Sequence, residues 1–302
     1  AIGKTSLSIK LAKKFSCPVI SADSRQFFKE MSIGTAKPSL EEMQGVAHYF
    51  IGSHSIYENY NVGRFEKEVI ELLNRLFKTH DTVIMVGGSG LYINAVCNGF
   101  DELPEADETI RKKIDTLYKT KGIEGLQHLL KELDPIYFEQ VDKQNPQRLS
   151  RALEVCLITG STYSHLRKAA KKERDFDFVK IGLNTSRETL YTRINQRVDQ
   201  MMAEGLLNEV IQLENYKQLN ALQTVGYKEL FDCLPELVAH QHDPTHYKQV
   251  LEKATDLIKQ NTRRFAKRQL TWFRRDEQLK WFEPQDIQSI LTYIAERRIT
   301  NL

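Results

Sequence analysis

The stretch "IGKTSLSIKLAKKFSCPVISADS", residues 2–24, decides how the chain is read. Gly3-Lys4-Thr5 opens a segment in which Leu7, Leu11 and Phe15 share one helical face, while Lys10, Lys13 and Lys14 lie elsewhere. "CPVISADS" follows as a short buried strand that ends at Asp23. Glycine, lysine and threonine at a helix start form the second half of a phosphate-binding loop. Backbone amides and the helix dipole attract phosphate oxygens, the lysine adds a point charge, and the threonine hydroxyl can hold Mg²⁺. The first glycine of such a loop and its preceding strand would fall before Gly3, outside the sequence. The motif alone also describes an ordinary glycine turn into a surface helix. The strand ending in aspartate is what raises it above that reading.

Outward from there the pattern repeats. "THDTVIMVGGSGLY" (79–92) predicts a strand from Thr82 to Val86, a glycine turn at Gly87-Gly88 and a helix from about Leu91. "FVKIGLN" (178–184) predicts a third strand. Strands alternating with helices indicate an α/β fold with a parallel sheet, whose ligands gather at the carboxyl ends of the strands. Asp23, Ser89 and the Gly3-Lys4-Thr5 turn are all expected at that edge. Residues 104–177 and 187–275 instead carry helical periodicity, and both are expected to contribute to a helical clamp over it.

Of the 302 residues, 27% are charged and 41% apolar, as in an ordinary soluble enzyme, and no apolar run approaches a membrane span. Cys17, Cys97, Cys156 and Cys233 lack metal-type spacing and suit a reducing cytoplasm. His240, His242 and His246 flank Asp243-Pro244 and read as a polar loop rather than a zinc site. Net charge is only +3, so affinity for nucleic acid has to come from clustering. Residues 263–275 supply it, with six Arg or Lys and no acid. Arg264, Arg268 and Arg275 fall near one side of a helix, and Phe265, Trp272 and Phe273 add apolar or stacking surface. A basic surface helix with buried aromatics would look the same.

Asp23 admits three readings: a metal ligand, a general base beside the leaving phosphate, or a helix cap. Arg193 and Arg197, four residues apart, share a helical face and could close over phosphates or simply face solvent.

The segments "DSRQ" (23–26), "MSIGTAKPS" (31–39), "VGGSGLY" (86–92), "NPQRLSRALEV" (145–155), "GL" at 205–206 with Glu209, "QTVGYKE" (223–229) and "TRRFAKRQLTWF" (262–273) cover almost the whole chain in order. Together they resemble the tRNA dimethylallyltransferases, also called tRNA isopentenyltransferases. The bacterial type is expected, because no Cys/His zinc module follows Leu302. The resemblance implies a P-loop kinase-like core with a helical insertion subdomain. It implies transfer of a dimethylallyl group from dimethylallyl diphosphate to N6 of the adenosine beside the anticodon, with Mg²⁺ and without consumption of ATP. Asp23, Thr5, Ser89 and Arg111 then take catalytic positions, and Thr5 the metal. Gly3, Lys4, Thr5, Ser6, Arg193 and Arg197 bind diphosphate. The tRNA anticodon stem-loop is met by Asp23, Ser24, Arg25 and Gln26; by Gln147, Arg148, Leu149, Ser150 and Arg151; by Gln223, Thr224, Val225, Gly226, Tyr227 and Lys228; and by Arg264, Lys267 and Arg268. The implied organisation is core 1–103, helical segment 104–177, core return 178–200, tRNA-contacting helices 201–255 and a basic helix with tail, 256–302. The location is cytoplasmic, and neither a membrane nor a protein partner is implied. Other classes that share parts of the pattern are an isopentenyltransferase of free adenine nucleotides, a small-molecule kinase and a non-enzymatic RNA-binding protein.

Overall fold

The structure, a computed structural model, describes residues 2–101, 103–167 and 171–300. The chain divides into two compact units, one formed by 1–97 with 174–302 and the other by Asn98–Glu173.

In the first unit, helix α1 (Lys4–Phe15) leads into β1 (Val19–Ala22), whose four residues are all buried. After a long loop come α2 (Leu40–Met43), β2 (His48–Tyr49), α3 (Val62–Leu76), β3 (Ile84–Gly87) and α4 (Gly90–Asn98). β1 lies between β2 and β3 and pairs parallel with both, Val19 opposite His48 on one side and Ile84 on the other. A central parallel strand is covered on both faces, so "VISA" is apolar or small throughout. β4 (Ile181–Leu183) and β5 (Lys280–Phe282) form a second parallel pair. The parallel arrangement read from the sequence therefore holds, but in two sheets. Ile84 of β3 packs in one apolar cluster with Ile181 and Leu183 of β4 and with Leu7 and Leu11.

The rest of this unit is helical: α9 (Arg187–Ala203), α10 (Leu206–Gln212), α11 (Tyr227–Ala239), α12 (Pro244–Phe273) and α13 (Ile287–Thr300). Their apolar faces do not form a separate subdomain. Val198, Val210, Leu230 and Ile258 join Ile20, Phe27, Phe65 and Val69 in the main core. This corrects the expectation of a boundary at 255/256, which would cut through the single helix α12. Asp243 caps α12, accepting from the amides of Thr245 and His246, so the expected polar turn is a helix start.

The second unit holds α5 (Glu108–Leu133), α6 (Pro135–Gln140), α7 (Pro146–Thr159) and α8 (Tyr163–Leu166), with α5 broken at Gly122. Its own core is built from Ile114, Leu126, Leu130, Leu149 and Leu153. It runs from Asn98 to Glu173 where the sequence pointed to 104–177. At the point where the chain returns, Arg174 donates to the carbonyls of Ala95 and Val96, both at 2.9 Å, and pairs with Glu66 at 2.6 Å. These carbonyls belong to the last turn of α4, where a cation satisfies groups that the helix leaves open. Immediately before it, the Lys172 amide donates to the Asn98 carbonyl at 2.9 Å.

Candidate active site

Gly3 sits in the left-handed region (φ 95°) and caps α1 without a side-chain bond, so the first amides of the helix are left for a ligand. Burial pushes the Lys4 ammonium below its ordinary range, the nearby Asp23 carboxylate opposes this, and Arg197 adds to it. Arg197 on α9 is likewise lowered by desolvation and feels Glu42 and Asp23, so Lys4, Asp23 and Arg197 form one electrostatic group. Arg193, one turn earlier, is exposed, and the Arg197 side chain also reaches solvent. Thr5 is half-buried, and its hydroxyl makes no hydrogen bond among the described residues.

Asp23 follows β1 directly, and Ser89 follows β3. The Ser89 hydroxyl accepts from the Ser24 amide (3.0 Å) and donates to the Ser24 hydroxyl (3.1 Å), tying the two strand ends together. Asp23 accepts from the Arg25 amide at 3.1 Å through Oδ1, an Asx-type turn that fixes its carboxylate after the strand. Three of the residues expected at the sheet edge are thus brought together, with Ser89 one link from Asp23.

Arg25 and Gln26 face inward. The Arg25 guanidinium donates to the carbonyls of Asn220 (2.8 Å) and Ala221 (3.0 Å). Gln26 accepts from Ser21 and donates to the carbonyls of Thr35 and Ala36, which anchors the "MSIGTAKPS" loop beside the site. That loop has a second anchor to which the sequence reading gave no role. Glu209 on α10 accepts from the amides of Ser32 (3.0 Å), Ile33 (2.8 Å) and Gly34 (3.0 Å) and from the Tyr227 hydroxyl (2.5 Å). Gly34 is required there, since an added Cβ would stand 2.4 Å from the Tyr227 ring. The signal was Glu209 itself, a carboxylate in the "GL" segment without a chemical role.

Several expected RNA contacts are corrected by burial. Tyr227 and Leu149 are 0% exposed and Gly226 is buried, so they pack rather than touch a ligand. Burial and the Glu209 carboxylate push the Tyr227 hydroxyl far above its ordinary pKa. Val225 packs on the main core, and Thr224 is half-buried beside it. Gln223 and Lys228 are exposed. In the second unit, Gln147 and Arg148 are exposed at the start of α7, and Ser150 is half-buried. Arg111 and Arg151 there bind opposite oxygens of the buried Glu154 at 2.7 and 2.6 Å. Arg111 is engaged by that carboxylate and belongs to the second unit.

On α12, Arg264, Lys267 and Arg268 are exposed, and the Arg268 guanidinium lies 5.7 Å from the Phe265 ring centre. Arg263 is turned away from them, bonded to Asn195 at 2.7 Å. Gln269 of the same helix donates to the Gly88 carbonyl at 2.9 Å, so the basic-aromatic helix ends against the glycine turn that carries Ser89.

The sequence model of the family described as IPP transferase matches residues 26–276. A relative from Flavobacterium johnsoniae named tRNA dimethylallyltransferase is 50% identical over 98% of this chain and 94% of its own. The chain belongs to the IPP transferase family. Another relative of that name, from Flavobacterium psychrophilum, is 52% identical over 94% of this chain and 91% of its own. The tRNA isopentenylpyrophosphate transferase of Bacillus halodurans has a solved structure similar to this one. Its TM-score is 0.69 at 36% identity, covering 98% of this chain and 93% of that one. A eukaryotic dimethylallyltransferase solved acting on tRNA gives a TM-score of 0.76 at 27% identity, covering 99% and 75%. Both solved structures are similar to this one over nearly the whole chain. No helix among the described residues is long and apolar enough to cross a membrane.

The group around Lys4 suits a magnesium ion by its donor chemistry. Mg²⁺ takes oxygen ligands, keeps waters, and is held by one or two protein groups together with substrate phosphates. The free Thr5 hydroxyl and the Asp23 carboxylate are donors of that kind.

Proposed function

We propose that this chain transfers the dimethylallyl group of dimethylallyl diphosphate to N6 of the adenosine beside the anticodon of tRNA, releasing diphosphate. The observation that carries the reading is the meeting of two features at one strand edge. A phosphate-type helix start with Lys4 lies beside Asp23, and the basic-aromatic helix α12 is bonded to the glycine turn next to it.

In this reading the amides after Gly3, with Lys4 and Arg197, bind the diphosphate and stabilise the charge that grows on it. The C1–O bond breaks and its electron pair leaves with the diphosphate. The N6 lone pair forms the new N–C1 bond, and Asp23 orients the amine and accepts its proton. Thr5 would hold Mg²⁺, which supplies further neutralisation of the leaving diphosphate. Ser89 keeps the Asp23 turn in place through Ser24. The adenosine must leave the anticodon stack, at a cost of roughly a few kcal/mol. Exposed Gln223, Lys228, Arg264, Lys267 and Arg268 are contacts that could offset it. The reading sets the protein in the cytoplasm, with tRNA.

The direct test is incubation with labelled dimethylallyl diphosphate and either an anticodon stem-loop, AMP or ATP. Label in the stem-loop is the expected result. Efficient labelling of AMP would make the chain a free-nucleotide enzyme, and ATP hydrolysis coupled to turnover would make it a kinase. Arg264→Ala/Arg268→Ala should weaken stem-loop binding while donor affinity is kept. Losing two single-strand phosphate contacts should flatten the log–log salt dependence by about 1.4. An unchanged slope in a filter-binding titration would remove these arginines from the RNA face.

A further inference from the structure

Trp272 has no role in the reading above, although its position is distinctive. It lies in the last turn of α12 and touches Gly90 at the start of α4. A Cβ added to Gly90 would stand 2.2 Å from the indole Nε1 and 2.3 Å from Cδ1. Three residues earlier, Gln269 holds the Gly88 carbonyl. The two glycines flanking Ser89 are therefore both covered by α12, and Ser89 is bonded to the residue after Asp23. The rest of the indole is open, with Trp272 42% exposed, and the neighbouring Leu91 is 44% exposed. A site built from charges and amides thus has an aromatic and aliphatic surface beside it, which neither a diphosphate nor a ribose phosphate calls for.

We propose that the Trp272 indole is the wall for the five-carbon group of the prenyl donor and that it sets the chain length accepted. The proposal rests on the transferase reading and deepens it. When the C1–O pair departs with diphosphate, positive charge spreads over C1 and C3 of the allyl group until N6 bonds to C1. An indole face attracts such a cation more strongly than other side-chain rings do. It also keeps water from the carbon that N6 must reach. Because the indole is seated on Gly90, the wall is fixed, and a longer prenyl chain would meet it. The rival occupant is an RNA base. Phe265, seven residues earlier and on the same side of α12, is the aromatic suited to that role: it is 44% exposed and pairs with Arg268, away from the glycine turn.

The test uses the whole chain, an anticodon stem-loop, and two donors, dimethylallyl diphosphate and the ten-carbon geranyl diphosphate. Wild type should use the short donor. Trp272→Ala should lower its kcat by about 30-fold, the scale of one desolvated cation–π contact. The KM for the stem-loop should not change, and the preference should move toward geranyl diphosphate. Trp272→Phe, which keeps a ring, should restore kcat. Gly90→Ala, whose methyl group displaces the indole, should move donor preference in the same direction. Phe265→Ala should act on the stem-loop KM alone. Unchanged kcat and donor preference in Trp272→Ala would overturn the proposal by itself. A change confined to the stem-loop KM would do the same and make Trp272 an RNA-stacking residue. Absence of transfer by wild type would overturn the transferase reading and this proposal together.

Discussion

Asp23→Asn should lower single-turnover transfer by about 10²–10⁴-fold, the usual weight of a positioned general base. The substitution is well controlled by the structure. Asn keeps the Oδ1 that accepts from the Arg25 amide, so the turn after β1 and its link to Ser89 persist. What is removed is the charge that receives the N6 proton. The same charge supports Lys4, whose pKa is already depressed by burial and which Asp23 pulls back upward. In Asp23→Asn the Lys4 pKa falls further. A lysine with a lowered pKa loses its charge earlier as pH rises, so donor affinity should fail at lower pH than in wild type. Donor binding and transfer measured across pH check both parts. Transfer within threefold of wild type would remove Asp23 from the role of base.

Glu209→Ala should be the most damaging change away from the reacting groups. It leaves the amides of Ser32, Ile33 and Gly34 without their carboxylate and strands the hydroxyl of the fully buried Tyr227. Loss of charge-assisted bonds together with an unsatisfied buried hydroxyl should cost roughly 2–4 kcal/mol of unfolding free energy. Glu209→Gln should recover only part of this, because its amide NH₂ must face donors. Urea denaturation gives the magnitude, and proteolysis between Ser32 and Ser39 reports whether the loop is released. A loss below about 0.5 kcal/mol, the range of ordinary surface changes, would show that Glu209 does not hold the loop.

The parts of the molecule that were legible in the sequence are those where local chemistry has one solution. "VISA" reads as a strand because a central parallel strand must be apolar on both faces, and it is β1. Gly3-Lys4-Thr5 reads as a helix start and forms one. β2 and β5 were missed because two or three paired residues such as His48–Tyr49 carry no periodicity. Among the candidate site residues, Lys4 and Asp23 stand out in the sequence because a lysine after glycine and an aspartate after a strand have few structural uses. Tyr227 could not be placed, since a tyrosine in a polar motif reads equally as a contact or as a buried partner. Only the fold brings Glu209 to its hydroxyl. Arg111 has the same ambiguity, and its partner Glu154 lies far along the chain.

The clip made by Arg174 bears on how the molecule can be assembled and altered. Because Arg174 is bonded to the carbonyls of Ala95 and Val96 and to Glu66, the two chain crossings into Asn98–Glu173 are fixed side by side within the first unit. To the rest of the chain, the whole excursion is then a closed loop. Its entropic cost grows only with the logarithm of its length, about 0.6 kcal/mol for each doubling. For the first unit alone, the length of the excursion therefore matters little, whereas cutting the Arg174–Glu66 pair loosens the loop at its root. The helices of the second unit hang from the first at one closed point, and Arg174 is its latch on the side of the first unit.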